Sequence, residues 1–530
     1  MPFQVSPGVV VTERDLTTVV PNVSTSIGAF AGAFQWGPVL QRVRIESENE
    51  LVQTFGEPTA DTAEYFWSAA NYLAYSNNLL VVRNTEANAI NAVVGDDNAG
   101  DAVKVNNTDD FDGTTFSTTA TAPLFVAKYP GARGSSLKAI AVDSAGWASF
   151  SGLADNARTP DQKLLFANFD RAPGTSTDVA ASGGSNDEMH ILVIDENGLF
   201  SGVAGEILEA HAFVSKASDA KKIDGSSNYV KNVLRNESLY IWLGQILKIT
   251  ESTTDSGSEV DAGSLKAGNT FKLINAAADA DKIIGGSLAG GSDGTYPLTP
   301  AKEQIAYNMF ADAETVDISL LIGGPALQAT AQHLVLTIAE NRKDCIAFVS
   351  PTKASVVNAA VDSQTASIVS QKNAIGSSSY GVMDNAWKYQ YDRYRDVFIN
   401  VPMNGDIAGL CARTDFTNDA WFSPAGLNRG VIKNIVRPSW DASQGDRDEL
   451  YKGGINPITT QLGAGNILFG DKTMLAVPSA FDRINVRRLF IVLEKAIAIA
   501  AKAMLFEFND EFTRSQFVNI VTPFLREVQG

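Results

Sequence analysis

The chain changes texture twice, near Asn84 and again near Thr295, and this interruption limits what it can fold into. Outside the interruption, apolar residues recur at the spacings of buried strands and amphipathic helices. Inside it, Gly, Ser, Asn, Asp and Thr dominate, broken by short strand-like runs at Ile191–Ile194, Tyr240–Leu243 and Phe271–Ile274. Short strands with frequent turn signals predict a β-rich domain standing in water. The flanks then supply one packed core, split in sequence by the insert. Length agrees: 530 residues exceed one hydrophobic core and imply about three or four domains.

The flanks are patterned in detail. Asp61 with Glu64 three residues on has the spacing of a capping box, and Phe66, Ala70 and Leu73 follow on one helical face. A strand is predicted over Leu79–Arg83. Beyond Pro297, Val316–Ile322 reads as a buried strand ending in Gly323-Gly324-Pro325, with Pro325 suited to the first turn of a helix. Leu327, Ala331, Leu334 and Ile338 mark that helix. Cys345–Val349 is the next strand, stopped by Ser350-Pro351, and another helix begins near Ala354. Strand, helix, strand, helix implies a right-handed parallel unit. Tyr380–Val401 reads as two extended segments around Tyr391–Arg395, so the sheet is expected to be mixed. Two long helices close the chain, one over about Asp482–Phe506 and one from Asn509 or Asp510. The fold class is therefore α+β and multidomain, a mixed sheet flanked by helices plus the β-rich insert. Gly95–Ala122 is too short and polar for a domain and reads as an exposed connection.

Charge excludes several partners. The net charge is −18, and the insert carries more than half of it, since acidic residues outnumber basic ones there by roughly ten. Such a chain is repelled at long range by nucleic acid and by anionic membranes. The two cysteines, Cys345 and Cys411, cannot form a disulfide framework and read as buried reduced thiols. Leu489–Phe506 is apolar but carries Glu494, Lys495 and Lys502, each costing roughly 2.5–3.5 kcal/mol at a bilayer centre. It reads as a buried helix, not a membrane span.

No cofactor, metal or catalytic site emerges. Gly465-Asn-Ile-Leu-Phe-Gly470-Asp471-Lys472-Thr473 nearly spells a phosphate-binding loop, but Asp471 displaces the lysine and the interior is strand material. His190, His211 and His333 have no ligand-spaced partners. Asp96–Asp101 has the flavour of a calcium loop, yet Asn107 stands where the bidentate Glu belongs. Tyr389, Tyr391, Arg393, Tyr394 and Arg395 alternate as in a half-exposed strand, with Asp392 and Asp396 neutralising the arginines. Arg483, Arg487 and Arg488 open a long helix against its dipole, so they need carboxylate partners in the chain or on a neighbour.

Two passages carry a family resemblance. The first is Asp406-Ile-Ala-Gly-Leu-Cys-Ala-Arg-Thr-Asp415 with Trp421-Phe-Ser-Pro-Ala-Gly-Leu-Asn-Arg-Gly430. The second is Ile455-Asn-Pro-Ile, Leu468-Phe-Gly-Asp-Lys-Thr473 and Pro478–Leu489. With Ser6-Pro7-Gly8-Val9, Gln35-Trp36-Gly37-Pro38 and Phe55-Gly56, they resemble the tail sheath proteins of contractile bacteriophages, nearest to those of large myophages. The middle matches loosely, around Tyr129-Pro130-Gly131 and Gly285–Gly294.

The resemblance implies a structural subunit, not an enzyme, that stacks as hexameric rings in a helical polymer around a tail tube. It implies baseplate and tail-terminator partners, assembly in the host cytoplasm and a place in the virion tail. The nearest alternative is the sheath of a bacteriocin-like or secretion-type injection machine. Under this reading residues 1–22 form an arm, with Gly8, Val9, Val10, Val11, Thr12 and Glu13 joining a neighbour's sheet. Residues 23–94 and 296–481 form the core, 95–121 the connection, 122–295 the outer domain and 482–530 a tube-proximal helical domain. Arg483, Arg487, Arg488, Lys502 and Arg514 are the expected tube or neighbour contacts. Family members continue past Phe524-Leu525 into a further arm, whereas this sequence stops at Gly530. A form lacking that arm is expected to stay monomeric or assemble poorly.

Overall fold

The computed structural model describes residues 25–94, 103–114, 123–244, 249–251, 266–268, 271–273, 283–360, 363–502 and 504–529. Gly8–Glu13 and the Asp96–Asp101 loop lie outside these residues.

One six-stranded sheet organises the core, and both flanks build it. The first flank gives β1 (Gly28–Gly32), β2 (Arg42–Ile45), helices α1 (Glu48–Phe55) and α2 (Ala63–Leu73), and β3 (Leu79–Arg83). The insert contributes β4 (Leu137–Asp143), β5 (Glu188–Asp195), β6 (Glu206–Ser215) and β7 (Ile284–Ser287). The second flank adds β8 (Leu320–Ile322), β9 (Ile346–Val349) and β10 (Gly381–Met383). The core order is β10-β9-β8-β1-β3-β2. Every pair is parallel except β2 with β3. Ala29, Phe30, Leu79, Val81, Leu321, Ile322, Ala347 and Phe348 are buried, as a parallel sheet covered on both faces requires.

The sheet is mixed, though not where the Tyr380–Val401 pattern placed the antiparallel strands. β11 (Trp387–Asp392) and β12 (Val397–Pro402) leave the main sheet and pair with each other and with Arg437–Pro438. The antiparallel member of the core sheet is β2. Leu79–Arg83 forms over the predicted residues, whereas the Val316–Ile322 run is a strand only from Leu320. Pro325 sits in a turn with Gly324, whose φ is +60°, three residues before the helix opens at Gln328. That helix continues through a π-helical stretch, His333–Ala339, which buries Leu334, Val335, Ile338 and Ala339. Its predicted first member, Leu327, is exposed.

The predicted Asp61 cap is also replaced. Thr59 and Thr62 exchange hydrogen bonds, each hydroxyl accepting from the other's backbone N–H at 2.9 and 3.3 Å. The pair orders the turn before the helix, whose N-cap is Thr62 and which has no side-chain cap on its first-turn N–H groups.

In the insert, the four strands run β7-β4-β5-β6, all antiparallel. Every residue of β5 is buried, because short helices such as Ser144–Ser151 and Pro160–Asn168 cover the sheet. A smaller sheet joins Val93–Val94, Phe125–Ala127 and Ile241–Leu243. The 95–121 segment is more than an exposed connection. Its described part contains the helix Thr108–Gly113, whose Phe111 stacks on buried Trp242 with ring centroids 4.3 Å apart.

Core and insert meet around one fully buried cation. Arg83, at the end of β3, donates Nε to Phe34 O (2.8 Å) and Nη1 to Gly37 O (2.8 Å). Its Nη2 donates to Gln35 O (3.1 Å) and to Pro130 O (2.7 Å) across the domain boundary. Among the described residues no carboxylate forms an ion pair with it, and burial lowers its pKa to about 10. Gly131 follows, and a Cβ there would lie 2.7 Å from Gln35 O. Trp36 packs edge-on against Tyr129 and Phe200. Asp293 accepts from Ala132 N at 2.8 Å, drawing in the returning chain. The Gln35–Pro38, Tyr129–Gly131 and Gly285–Gly294 passages thus converge here.

Removing that guanidinium leaves several buried carbonyls without donors. Arg83→Met is expected to destabilise the fold by about 3 kcal/mol, measured as a lower urea midpoint.

Candidate assembly surface

Of the passages that carried the resemblance, Asp406–Asp415 and Ile455–Ile458 lie inside the molecule, whereas Trp421–Gly430 and Pro478–Leu489 are only partly buried. Helix α3 (Asn404–Thr417) packs along α2, and its glycines explain the closeness. A Cβ at Gly405 would sit 2.4 Å from Ser68 O, and one at Gly409 2.5 Å from the Tyr75 ring. Spacing of four places both on one helical face, so the two helices meet backbone to side chain.

Beneath α3 lies a buried polar network. Lys388 Nζ meets Asp406 Oδ1 at 2.9 Å, with neither side chain exposed. Burial raises the Asp406 carboxyl and lowers the Lys388 ammonium, while their mutual attraction opposes both shifts. Ser350 Oγ donates to Asp384 Oδ2 (2.5 Å), and Ala386 N donates to Asp384 Oδ1 (3.1 Å). Complete burial outweighs those hydrogen bonds and pushes the Asp384 carboxyl up to about 8. Asn404 ties this network to the turn after β8, exchanging hydrogen bonds with Gly324 N and O at 3.0 and 2.8 Å.

The near phosphate-binding loop is one strand of a hairpin, β13 (Ile458–Gln461) with β14 (Gly465–Leu468). Ile467 and Leu468 are buried, and Lys472 lies over the Tyr451 ring at 4.5 Å. The three histidines stay apart. His190 bonds to backbone, His211 to Glu209 and His333 to Asn308, and no metal-binding group of acids, cysteines or histidines occurs among the described residues. Both thiols are buried, which pushes Cys345 and Cys411 up to about 12.

Arg483 and Arg488 find the expected carboxylates within the chain, whereas Arg487 meets aromatic rings and the Tyr380 hydroxyl instead. Helix α4 (Ile484–Lys502) buries Ile484, Arg487, Arg488, Ile491, Ala496 and Ala500. Arg488 pairs with Asp415 and donates to Cys411 O at 3.3 Å and Thr25 O at 3.4 Å. Arg483 meets Asp471 and Tyr451, both at 2.5 Å. Arg487 lies over Tyr380 and Phe481 at 4.3 and 4.0 Å. Lys495 reaches Asp317 at 2.5 Å, fixing the helix to the segment before β8. Lys502 is exposed, and Arg514 bonds only locally, to Asn509.

Within the predicted Leu489–Phe506 run the helix ends at Lys502 and is only half-buried, which corrects the reading of a buried helix reaching Phe506. Phe490 and Ile499 face outward, and the chain beyond is more open still. Phe506 and Phe508 are 105% and 85% exposed, and Phe506 has a φ of +70°. Helix α5 (Glu511–Gln529) starts as expected, with Asp510 Oδ1 accepting from Thr513 N at 2.8 Å. It leaves Phe512, Val518 and Leu525 exposed. Exposed aromatic and aliphatic residues on consecutive elements form a contact surface. Sequence reasoning passed over Phe508 and Phe512; their signal was a second apolar periodicity beyond a helix already sufficient to cover the core. Among the described residues no helix is long and apolar enough to cross a membrane.

Comparison with known proteins places this architecture. The description "Phage tail sheath protein central domain" matches residues 305–474, and "Tail sheath protein Gp18 domain III N-terminal region" matches 25–83. The tail sheath protein of Enterobacteria phage T4 is 33% identical over 97% of this chain and 88% of its own length. The chain belongs to the phage tail sheath protein family. The tail sheath protein of Vibrio phage KVP40 is 30% identical over 99% of the chain and 90% of its own. Among solved structures, the sheath tail protein Lin1278 of Listeria innocua shares the fold. It has a TM-score of 0.51 at 13% identity, over 96% of this chain and 85% of that one. The protein is thus a structural subunit of a contractile phage tail, with the mixed multidomain sheath fold.

The buried network of this tail sheath protein has a pH signature. Between about pH 4 and pH 8 the folded state keeps a proton on Asp384 that the unfolded chain has lost. Stability contributed by that group falls as pH rises through this window and levels off above it. Asp384→Asn is expected to flatten the decline, read as the difference in unfolding free energy between pH 5 and pH 8.

Proposed function

We propose that this subunit polymerises as stacked six-fold rings around a tail tube and is held by terminal arms while the rings shorten. It acts mechanically and not as a catalyst. The free-energy difference between two packings drives the tube through the host envelope. The observation that carries this reading is the open apolar face of α4 and α5. A protein at high concentration would precipitate through such a face unless a partner covered it. The tail tube is the partner assigned to it, with Lys502 and Arg514 at its polar margin. Arg483, Arg487 and Arg488 instead hold α4 to the core, so that force on the face reaches the sheet.

Residues 122–295 serve as the outward domain, and Gly8–Glu13 as the arm that joins a neighbour's sheet. Baseplate and terminator proteins bound the polymer in the tail. Assembly takes place in the host cytoplasm.

Electron micrographs of the chain expressed with its tube protein test this reading. Sheathed tubes support it; bare tubes beside soluble monomer oppose it. Phe506→Asp with Phe508→Asp is expected to abolish sheathing. The melting temperature should stay within a few degrees, because neither side chain is buried.

A further inference from the structure

A second surface, away from α4 and α5, has the chemistry of an oxyanion site. The last turn of α3 and the turn 427–429 enclose an open cleft of about 230 Å³. Its walls are Arg413, Thr414, Thr417, Asn418, Asn428 and Arg429. No carboxylate lines it, although acidic residues outnumber basic ones 60 to 42 in the chain.

The donors facing the cleft are largely unspent. Arg413 is half-buried and makes no ion pair among the described residues. Arg429 spends Nε on Ser423 O at 2.7 Å and lies over the Phe422 ring at 5.5 Å. That pairing fixes its guanidinium plane and leaves both Nη groups for a ligand. Side-chain hydroxyls on this turn are turned back onto the helix: Thr414 Oγ1 donates to Leu410 O (2.7 Å) and Thr417 Oγ1 to Arg413 O (3.1 Å), while Asn418 N donates to Thr414 O (2.8 Å). Asp415, the nearest acid on α3, is committed to Arg488.

The rim is apolar. Phe416 is 92% exposed and Leu427 60% exposed, one on each side of the cleft. Two half-buried arginines ringed by exposed apolar side chains match the make-up of interface hot spots. Arginine's planar fork suits a carboxylate better than a lysine would.

We propose that this cleft receives an aspartate or glutamate side chain from a second copy of the chain in the polymer. Charge complementarity selects that occupant. A surface of net charge −18 packed against copies of itself must neutralise carboxylates wherever two subunits touch, and this cleft presents uncommitted guanidinium groups. The inference rests on the assembly reading above.

The test compares wild type with Arg413→Ala/Arg429→Ala, each expressed with the tube protein. The double variant is expected to keep the wild-type melting temperature within a few degrees. It should need at least roughly tenfold more protein to sheathe tubes. Wild type that sheathes tubes while the double variant does so equally overturns this proposal alone. Wild type that never sheathes overturns the assembly reading as well.

Carbodiimide cross-linking of Arg413→Lys supplies a readout that does not depend on loss of assembly. Polymers are made from a mixture of isotopically light and heavy chains. The new amine is expected to form an amide with an Asp or Glu of the other isotope. Cross-links confined to one chain, or none from that amine, overturn the proposal. So does a cleft that binds inorganic phosphate in the monomer while R413A/R429A leaves sheathing unchanged, which assigns it to a free anion.

Discussion

The polar contact at the centre of the boundary between the two main bodies of this sheath protein is the Arg83 guanidinium. A buried arginine without a carboxylate is costly, and burial draws its pKa down. The structure offsets that cost with four carbonyl acceptors, three from the loop after β1 and one from Pro130 in the insert. Because a guanidinium is planar and its donors diverge in fixed directions, the four acceptors can occupy only one relative arrangement. The domain boundary therefore has a defined geometry, to which the packing of Trp36 on Tyr129 and Phe200 adds apolar contact. Gly131 belongs to the same constraint, since any side chain there would strike Gln35 O.

The interior of the core follows a related logic on the other side of the sheet. Asp384, Lys388, Asn404 and Asp406 are charged or polar, fully enclosed, and grouped where strands hand over to α3. Replacing such a cluster with apolar residues would often be neutral for stability. Its value here is directional: Asn404 reads both backbone groups of Gly324, and Lys388 reads α3 through Asp406 and the 433 region through Lys433 O. Apolar side chains would pack the same space without specifying which segment sits where.

Much of this was legible in the sequence, and the failures have physical causes. β3 formed over its predicted residues because polar residues close the apolar run. The sheet was predicted mixed for the wrong reason, since a hairpin of alternating residues looks the same whether it extends a sheet or leaves it. Arg483 and Arg488 were recognised as needing carboxylates. Asp471 and Asp415 could not be chosen, because pairing across 12 and 73 residues is a property of the fold. The Asp61 cap did not form because the helix begins one residue later, with Thr62 as its N-cap and Thr59 and Thr62 bonded to each other. The outer face of α4 was missed because apolar periodicity shows that a helix has apolar faces, not how many of them the chain itself covers. The assembly cleft was invisible for the converse reason: Arg413 and Arg429 are drawn together by the turn after α3, and no spacing rule links them.

The seam between α2 and α3 has a consequence of its own. With hydrogen atoms at positions 405 and 409, the two helices have no interdigitating side chains there to act as stops. What prevents sliding is instead Tyr75, whose ring rests on Gly409 and whose hydroxyl accepts from Lys433 N at 2.7 Å. The seam is a smooth bearing surface with a latch at Tyr75, tied both to Asp406 of α3 and to Lys433 outside the two helices. A subunit that must pass from one lattice to another can keep these two helices as a single stiff strut while the loops around them take up the motion.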